Sequence, residues 1–233
     1  MRSYVLAAAV VFCATELPAA VVLTTSVAAP AISTNAQYNL DQANVGGGSW
    51  PYNVSIPSEP GVKPAQSFTV PGTSPLTLES FSLKGSGVSN SNIATNTWTV
   101  SIASVASISI DRVSLTPIHT VSGISGSAVA TSSTDWLTWS FTGADVVTLA
   151  PGTVYAVQVW SQDYFCFEAS ANNTKYTGGE ALALPQSGWG WAAGEIWRPG
   201  YDRTFIATVV PEPGSLALAL GGLGMILSRR RRA

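Results

Sequence analysis

Apolar residues recur at every second position through most of the chain, and this spacing restricts its fold more than any other feature. Phe68 and Val70 alternate with polar residues before a Pro-Gly pair, and the segment from Asn96 to Ile110 alternates in the same way. Successive side chains of a strand point to opposite faces, so period two indicates strands with one buried and one solvated face. The pattern predicts an all-β fold with antiparallel sheets.

About ten such runs lie between residues 36 and 209, each bounded by Gly, Pro, Asn or Ser. Among them are Pro75–Gly87, three runs within Asp135–Trp160, and Arg203–Val210. Charged residues make up only 10% of the chain, so the Glu, Lys and Arg that cover the solvent faces of long helices are scarce. We expect residues 36–209 to form an antiparallel β-sandwich of jelly-roll or carbohydrate-module type.

The charge of this region argues against one class of partner. Residues 30–210 contain six basic and eleven acidic residues, whereas four of the remaining basic residues are Arg229 to Arg232. Binding to nucleic acid requires clustered Lys and Arg that neutralise phosphates. The acidic body therefore predicts no nucleic-acid partner.

The N-terminus has the pattern of an export signal. Arg2 precedes an apolar run from Tyr4 to Ala14, which is too short to span a membrane but has the length of a signal-peptide core. Small residues offer cleavage points around Ala19–Ala20 or after Ala28, and the sequence does not choose between them. We expect a signal peptide over residues 1–28, cleaved between residues 19 and 29. The alternative is that this segment is a buried strand or helix of the fold.

Residues that carry catalytic chemistry are sparse. The only histidine, His119, is expected in a loop, and no nucleophile motif accompanies it. The acidic residues are scattered along the chain. A pair of carboxylates that hydrolyses a glycan therefore stays an open alternative, but no spacing identifies which two residues would form it. A calcium ion that bridges loops of the sandwich is also an open alternative, and the sequence identifies no ligand for it. We therefore assign no catalytic, cofactor-binding or metal-binding residue and expect no cofactor.

Eight tryptophans are the one unusual enrichment. Trp189 and Trp191 lie two positions apart, so on a strand both would share a face. An exposed aromatic pair could stack on sugar rings, which makes an extracellular polysaccharide a candidate partner. The alternative is that these side chains pack in the core, as large aromatic residues usually do.

The C-terminal segment, residues 210–233, combines three elements in order. Pro211, Glu212 and Pro213 come first, an apolar run over residues 214–228 follows, and Arg229 to Arg232 end the segment. The two prolines disfavour helix and favour an extended stretch. Fifteen helical residues span about 22 Å, which is short against a bilayer core of about 30 Å. The arginines would stay on the cytoplasmic side. We expect a short transmembrane helix over residues 214–228 that serves as a transient anchor.

These three elements resemble the PEP-CTERM sorting signal. The resemblance implies recognition by an exosortase, a membrane protease or transpeptidase of Gram-negative envelopes, in systems that accompany exopolysaccharide or biofilm production. The body, over about residues 38–207, resembles the β-rich choice-of-anchor domains in the phrases "AQSFTVPG", "LTLESFSL" and "LAPGTVYAVQVW". We therefore expect an exported, non-enzymatic protein, anchored transiently in the inner membrane and then placed at the cell surface or in the extracellular matrix. The alternatives are a glycan-binding module and a glycan hydrolase.

Overall fold

The computed structural model describes residues 20–31, 38–41, 62–89, 97–108, 113–126, 135–161, 165–170, 178–185 and 202–211. These residues form strands and one 3-10 turn at Gly143–Asp145. In chain order the strands are β1 (Ala20–Ser26), β2 (Tyr38–Asp41), β3 (Val62–Thr69), β4 (Leu76–Ser89), β5 (Thr97–Ile108), β6 (Val113–Ser125), β7 (Trp136–Thr142), β8 (Val147–Leu149), β9 (Val154–Ser161), β10 (Phe165–Phe167), β11 (Ala169–Ser170), β12 (Ala181–Pro185), β13 (Asp202–Arg203) and β14 (Phe205–Pro211).

The strands form two main antiparallel sheets. The seven-stranded sheet has the order β1-β7-β4-β14-β2, and both β8 and β10 also pair with the long strand β4. The five-stranded sheet has the order β12-β3-β9-β5-β6, and β11 pairs with β13 in a short ribbon. The prediction of an all-β fold with antiparallel sheets is confirmed. Its jelly-roll or carbohydrate-module type, and the domain bounds 36–209, stay predictions.

One hydrophobic core joins the two main sheets. Phe68, Val100 and Ile102 of the five-stranded sheet belong to the same buried cluster as Phe81 and Leu137 of the seven-stranded sheet. The alternating residues noted in the sequence supply these side chains, and Ser and Thr fill many of the positions between them. Burial of this apolar surface is the main contribution that holds the two sheets together.

A β-bulge at Glu79 explains a break in the alternation of β4. Leu76 and Leu78 are apolar at even positions, whereas Phe81 and Leu83 are apolar at odd positions, and all four are buried. In the pairing with β14, Leu78 faces Val209 and Ser80 faces Thr208, so Glu79 is an extra residue on β4. The extra residue reverses the phase of the strand and lets both apolar pairs face the core.

Strand β6 was not expected from the sequence, and it corrects the loop predicted around His119. His119 lies in β6 and pairs with Ile102 of β5, one residue from a register shift at Ala103 and Pro117. Proline lacks a backbone N–H and is tolerated on an edge strand, and β6 is an edge of the five-stranded sheet. The proline and the irregular register obscured the period-two pattern here.

Candidate functional site: the C-terminal junction

Strand β14, which leads into the C-terminal segment, is an interior strand of the seven-stranded sheet. It lies between β4 and β2. Phe205, Ala207 and Val209 are fully buried in the shared core, and the Phe205 ring stacks on Phe81 with ring centroids 5.9 Å apart. A strand paired on both sides and buried through its side chains is firmly held in the fold.

Pro211 is the last residue of β14 and the first residue of the Pro-Glu-Pro triplet. It pairs with Leu76, and Thr77 Oγ1 donates a hydrogen bond of 3.2 Å to the Val210 carbonyl. A proline fits at this position because it ends the ladder and has no N–H to donate. The triplet therefore begins inside the sheet, with no linker between the core strand and Glu212.

Two turns lie at the same end of the fold as Pro211. The first, residues 71–75, precedes β4, and the second, residues 150–153, joins β8 to β9. The second has Pro151 and then Gly152 at a φ of 69°, the arrangement that a type II turn requires. Val70 and the second turn are joined by two backbone hydrogen bonds, from Val70 N to Thr153 O at 3.0 Å and from Gly152 N to Val70 O at 2.9 Å.

A polar brace holds the opposite end of β14. Lys84 Nζ lies 2.8 Å from Glu168 Oε2, and the Thr204 hydroxyl donates a 3.0 Å hydrogen bond to Glu168 Oε1. The backbones repeat the connection, because Lys84 N donates to Thr204 O and Thr204 N donates to Glu168 O, both at 3.1 Å. No spacing in the sequence links three residues so far apart, so sequence reasoning missed this brace.

A buried polar group fixes the chain just before β14. Gln66, Asp202 and Arg203 are almost completely buried. Gln66 Oε1 accepts a 2.8 Å hydrogen bond from Arg203 N, and Gln66 Nε2 donates to Asp202 Oδ1 at 3.4 Å and to Ser67 O at 2.9 Å. Gln66 belongs to the five-stranded sheet, so this group ties the start of β14 to the other sheet.

His119 and Asp145 form a hydrogen bond between side chains of the described residues. His119 Nε2 lies 3.1 Å from Asp145 Oδ1, and both side chains are partly exposed. The pair joins β6 to the 3-10 turn that follows β7 and so links the two sheets. Asp145 and Glu168 are thus engaged in contacts that hold elements together. Within the described ranges, no group of three or more His, Cys, Asp or Glu side chains is placed to hold a metal ion.

The tryptophans divide between the core and segments that the structure does not describe. Trp98, Trp136 and Trp139 are buried. Trp160 is partly buried on β9. The predicted sugar-stacking pair, Trp189 and Trp191, lies outside the described residues, so the glycan contact stays a prediction.

Most of the predicted tail also lies outside the described residues. This holds for Glu212, Pro213, the apolar run 214–228, and the predicted membrane stop Arg229, Arg230, Arg231 and Arg232. Residues 1–19 of the predicted signal peptide are likewise not described. In the part of the chain that is described, no helix is long and apolar enough to cross a membrane.

The fold and this junction together define a β-sheet domain whose interior strand β14 ends where the C-terminal segment of the sequence begins. That segment matches a known family: residues 209–232 match the PEP-CTERM protein-sorting motif. The chain therefore carries a sorting motif of the kind that exosortase-type enzymes process, which indicates exosortase-dependent sorting of an exported protein. No curated protein matches the chain.

Proposed function

We propose that this chain is a non-enzymatic protein of the cell envelope or extracellular matrix of a Gram-negative-type bacterium. An N-terminal signal peptide exports it, the apolar run 214–228 holds it in the inner membrane, and an exosortase-type enzyme acts on the motif and releases or attaches the domain. The single observation that carries this proposal is the motif at residues 209–232, directly behind a strand of the folded core. The biofilm and exopolysaccharide context, and the likeness of the body to choice-of-anchor domains, belong to this proposal.

The placement of the motif supports a role as a processing signal. Val209 and Pro211 are part of β14, whereas Glu212, Pro213, the apolar run and the arginines all follow it in the chain. Cleavage after Pro211 would leave β14 complete, because the pairing with Leu76 is the last contact of the ladder. Loss of the tail would therefore leave all pairs of β14 in place.

The engagement of the polar residues supports a non-enzymatic role. The two carboxylate oxygens of Glu168 contact Lys84 and Thr204, and Asp145 contacts His119. Catalytic carboxylates would instead face a substrate across a cleft. These contacts favour a scaffold over the hydrolase alternative.

Membrane retention and processing test the proposal in cells with and without the exosortase. We expect the full chain to stay in the membrane fraction without the enzyme and to lose its tail with it. A chain that ends at Pro211 keeps β14 whole and should leave the membrane fraction in both strains. Retention of the chain that ends at Pro211 would contradict the proposal.

A matched pair of variants separates the motif from the anchor. Glu212→Gln with Pro213→Ala alters the triplet but leaves the apolar run intact, so the chain should remain anchored and unprocessed even when the enzyme is present. Replacement of Arg229 to Arg232 by Ala should instead weaken the retention of the chain in the membrane and disturb the orientation of the apolar run. Normal processing of the first variant would show that the triplet is not the recognised element.

The second candidate function is glycan binding through Trp189 and Trp191, favoured by the enrichment in tryptophan. Trp189→Ala with Trp191→Ala should weaken the retention of the released domain on the polysaccharide of the host. Trp160→Ala is the matched control, because it removes a partly buried indole from a described strand. Equal binding by both variants would argue against the glycan contact.

A further inference from the structure

The seven-stranded sheet brings the two termini of the described chain to the same end. Ala20, the first residue of β1, pairs with Thr142 at the end of β7. Pro211, the last residue of β14, pairs with Leu76 at the start of β4. Since β7 and β4 are antiparallel neighbours, with Ser140 opposite Ser80, Thr142 and Leu76 lie toward the same end of the sheet.

The two junctions are also close together laterally. Strands β1 and β14 are separated by β7 and β4, and neighbouring strands lie about 4.8 Å apart, which places the two strands about 14 Å apart across the sheet. The signal peptide would precede Ala20, and the apolar run begins at Gly214. Three residue steps separate Pro211 from Gly214, which can reach about 10 Å.

Strand β1 is an integral part of the fold rather than an appendage. All seven of its residues pair with β7, and the Thr142 hydroxyl donates a 3.0 Å hydrogen bond to the Ala20 carbonyl. Leu23 is buried at 3% exposure in the shared core, opposite Trp139, and Val21 packs against the same core. Cleavage after Ala28 would remove this strand and expose the edge of β7.

Two uncharged turns lie at the end of the fold that holds both junctions. Residues 71–75 and 150–153 contain no charged side chain, and Gly72, Thr73, Ser74 and Pro75 are exposed. Asp145, near the same end, is paired with His119. A neutral surface lowers the cost of approach to lipid headgroups, because no charge there must lose water.

We propose that this end of the domain faces the outer surface of the inner membrane, and that the signal peptide is cut at the Ala19–Ala20 pair, so that β1 stays in the mature protein. We name this end, residues 71–75 and 150–153 together with Ala20 and Pro211, the membrane-facing pole. The folded domain then presents both processing junctions to membrane-bound enzymes at one surface. The orientation rests on the proposed function, because it requires retention by the C-terminal segment. The cut at Ala19–Ala20 does not, because it rests on β1 alone.

Sequencing the N-terminus of the exported full chain tests the cut. We expect the mature protein to begin at Ala20 or Val21, and a start at Ala29 or later would overturn the assignment. As a matched pair, Ala19→Gln with Ala20→Gln should accumulate precursor, because the peptidase needs small residues beside the cut. Ala28→Gln with Ala29→Gln should be processed as the parent chain is. The reverse result for these two variants would also overturn the assignment.

Cysteine labelling of the full chain in membranes that lack the exosortase tests the orientation. Thr73→Cys lies on the membrane-facing pole and Thr97→Cys lies at the opposite end, and both positions are exposed. A bulky, membrane-impermeant maleimide should label Thr73→Cys several-fold more slowly than Thr97→Cys. The parent chain, which contains the native Cys166, gives the background labelling. The two rates should converge once the enzyme releases the domain.

The outcomes separate the two proposals. Absence of the chain from the membrane fraction would contradict the proposed function and the orientation with it. Retention with equal labelling rates would contradict the orientation alone.

Discussion

The indole rings of Trp98 and Trp139 meet edge to face across the two sheets, with centroids 5.6 Å apart and an interplanar angle of 64°. Phe167 completes the cluster at 6.3 Å from each of them. Trp98 belongs to β5 of the five-stranded sheet and Trp139 to β7 of the seven-stranded sheet. The contact therefore links the two sheets within the shared core.

This contact makes the two tryptophans energetically coupled. Trp98→Leu and Trp139→Leu should each lower the free energy of unfolding by about 2–4 kcal/mol, because a large aromatic side chain leaves a cavity. The double variant should lose about 0.5–1.5 kcal/mol less than the sum, since the aromatic pair is lost only once. Urea denaturation of the four proteins measures the cycle, and strict additivity would contradict the coupling.

Trp139 also predicts a ranking of two substitutions. Its Nε1 is buried and finds no hydrogen-bond partner in the structure as described, so neither Trp139→Phe nor Trp139→Leu loses a hydrogen bond from it. Trp139→Phe keeps more of the ring volume and should therefore cost less than Trp139→Leu. Urea denaturation measures both variants, and an equal or larger cost for Trp139→Phe would contradict a cost that is set by lost volume.

The bulge at Glu79 predicts that deletion of this residue is tolerated. Without Glu79, Leu76, Leu78, Phe81 and Leu83 fall at every second position, so a regular strand without a bulge can turn all four toward the core. We expect this variant to fold and to be present in the exported fraction. Glu79→Ala should change the free energy of unfolding by less than about 0.5 kcal/mol, because the side chain is exposed. Failure of the deletion variant to fold would show that the bulge does more than keep the two apolar pairs in phase.

Gly179 is predicted to tolerate no side chain, for a steric reason. A Cβ at this position would lie 2.0 Å from the Ser67 carbonyl oxygen. The next residue is held beside the same serine, because the Glu180 backbone N–H donates a 2.7 Å hydrogen bond to Ser67 Oγ. Gly179→Ala should therefore force the chain off β3 and cost about 2 kcal/mol or more. Gly123→Ala is the control, because its Cβ meets nothing within 4 Å and only its φ of 77° is unfavourable, at about 1 kcal/mol. Thermal unfolding should rank the two variants in this order, and the opposite order would count against the close approach.

The brace at the start of β14 predicts unequal effects for its two charged members. Lys84→Met removes a partly exposed ammonium and should cost at most about 1 kcal/mol. Glu168→Ala removes the acceptor of both Lys84 and Thr204 and should cost about 1–3 kcal/mol. Because salt screens the partly exposed ion pair, the effect of Lys84→Met should shrink in 1 M NaCl. Equal costs for the two variants would indicate that the hydrogen bond from Thr204 adds nothing.

The sequence predicted several strands well because their alternation is regular. The runs around Phe68, Trp98 and Ile206 each became strands, since the extra residues at the register shifts beside Trp98 and Ile206 lie on the partner strands and leave the period of these runs intact. The tail motif was equally readable, because its three elements are local. His119 was placed wrongly in a loop, since Pro117 and the shifted register of β6 broke the alternation that would have marked a strand.

Some features of this protein thus follow from local sequence pattern, and others follow only from long-range pairing. The sequence by itself determined the all-β class and the sorting motif, because both depend on the order of residues within a few positions of one another. Only the tertiary structure decided that Ala20–Ser26 forms a core strand, that Glu79 is a bulge, and that Glu168 braces β14. Each depends on partners more than 30 residues away in the chain, and the free energy of such contacts comes from burial and pairing that no local pattern encodes.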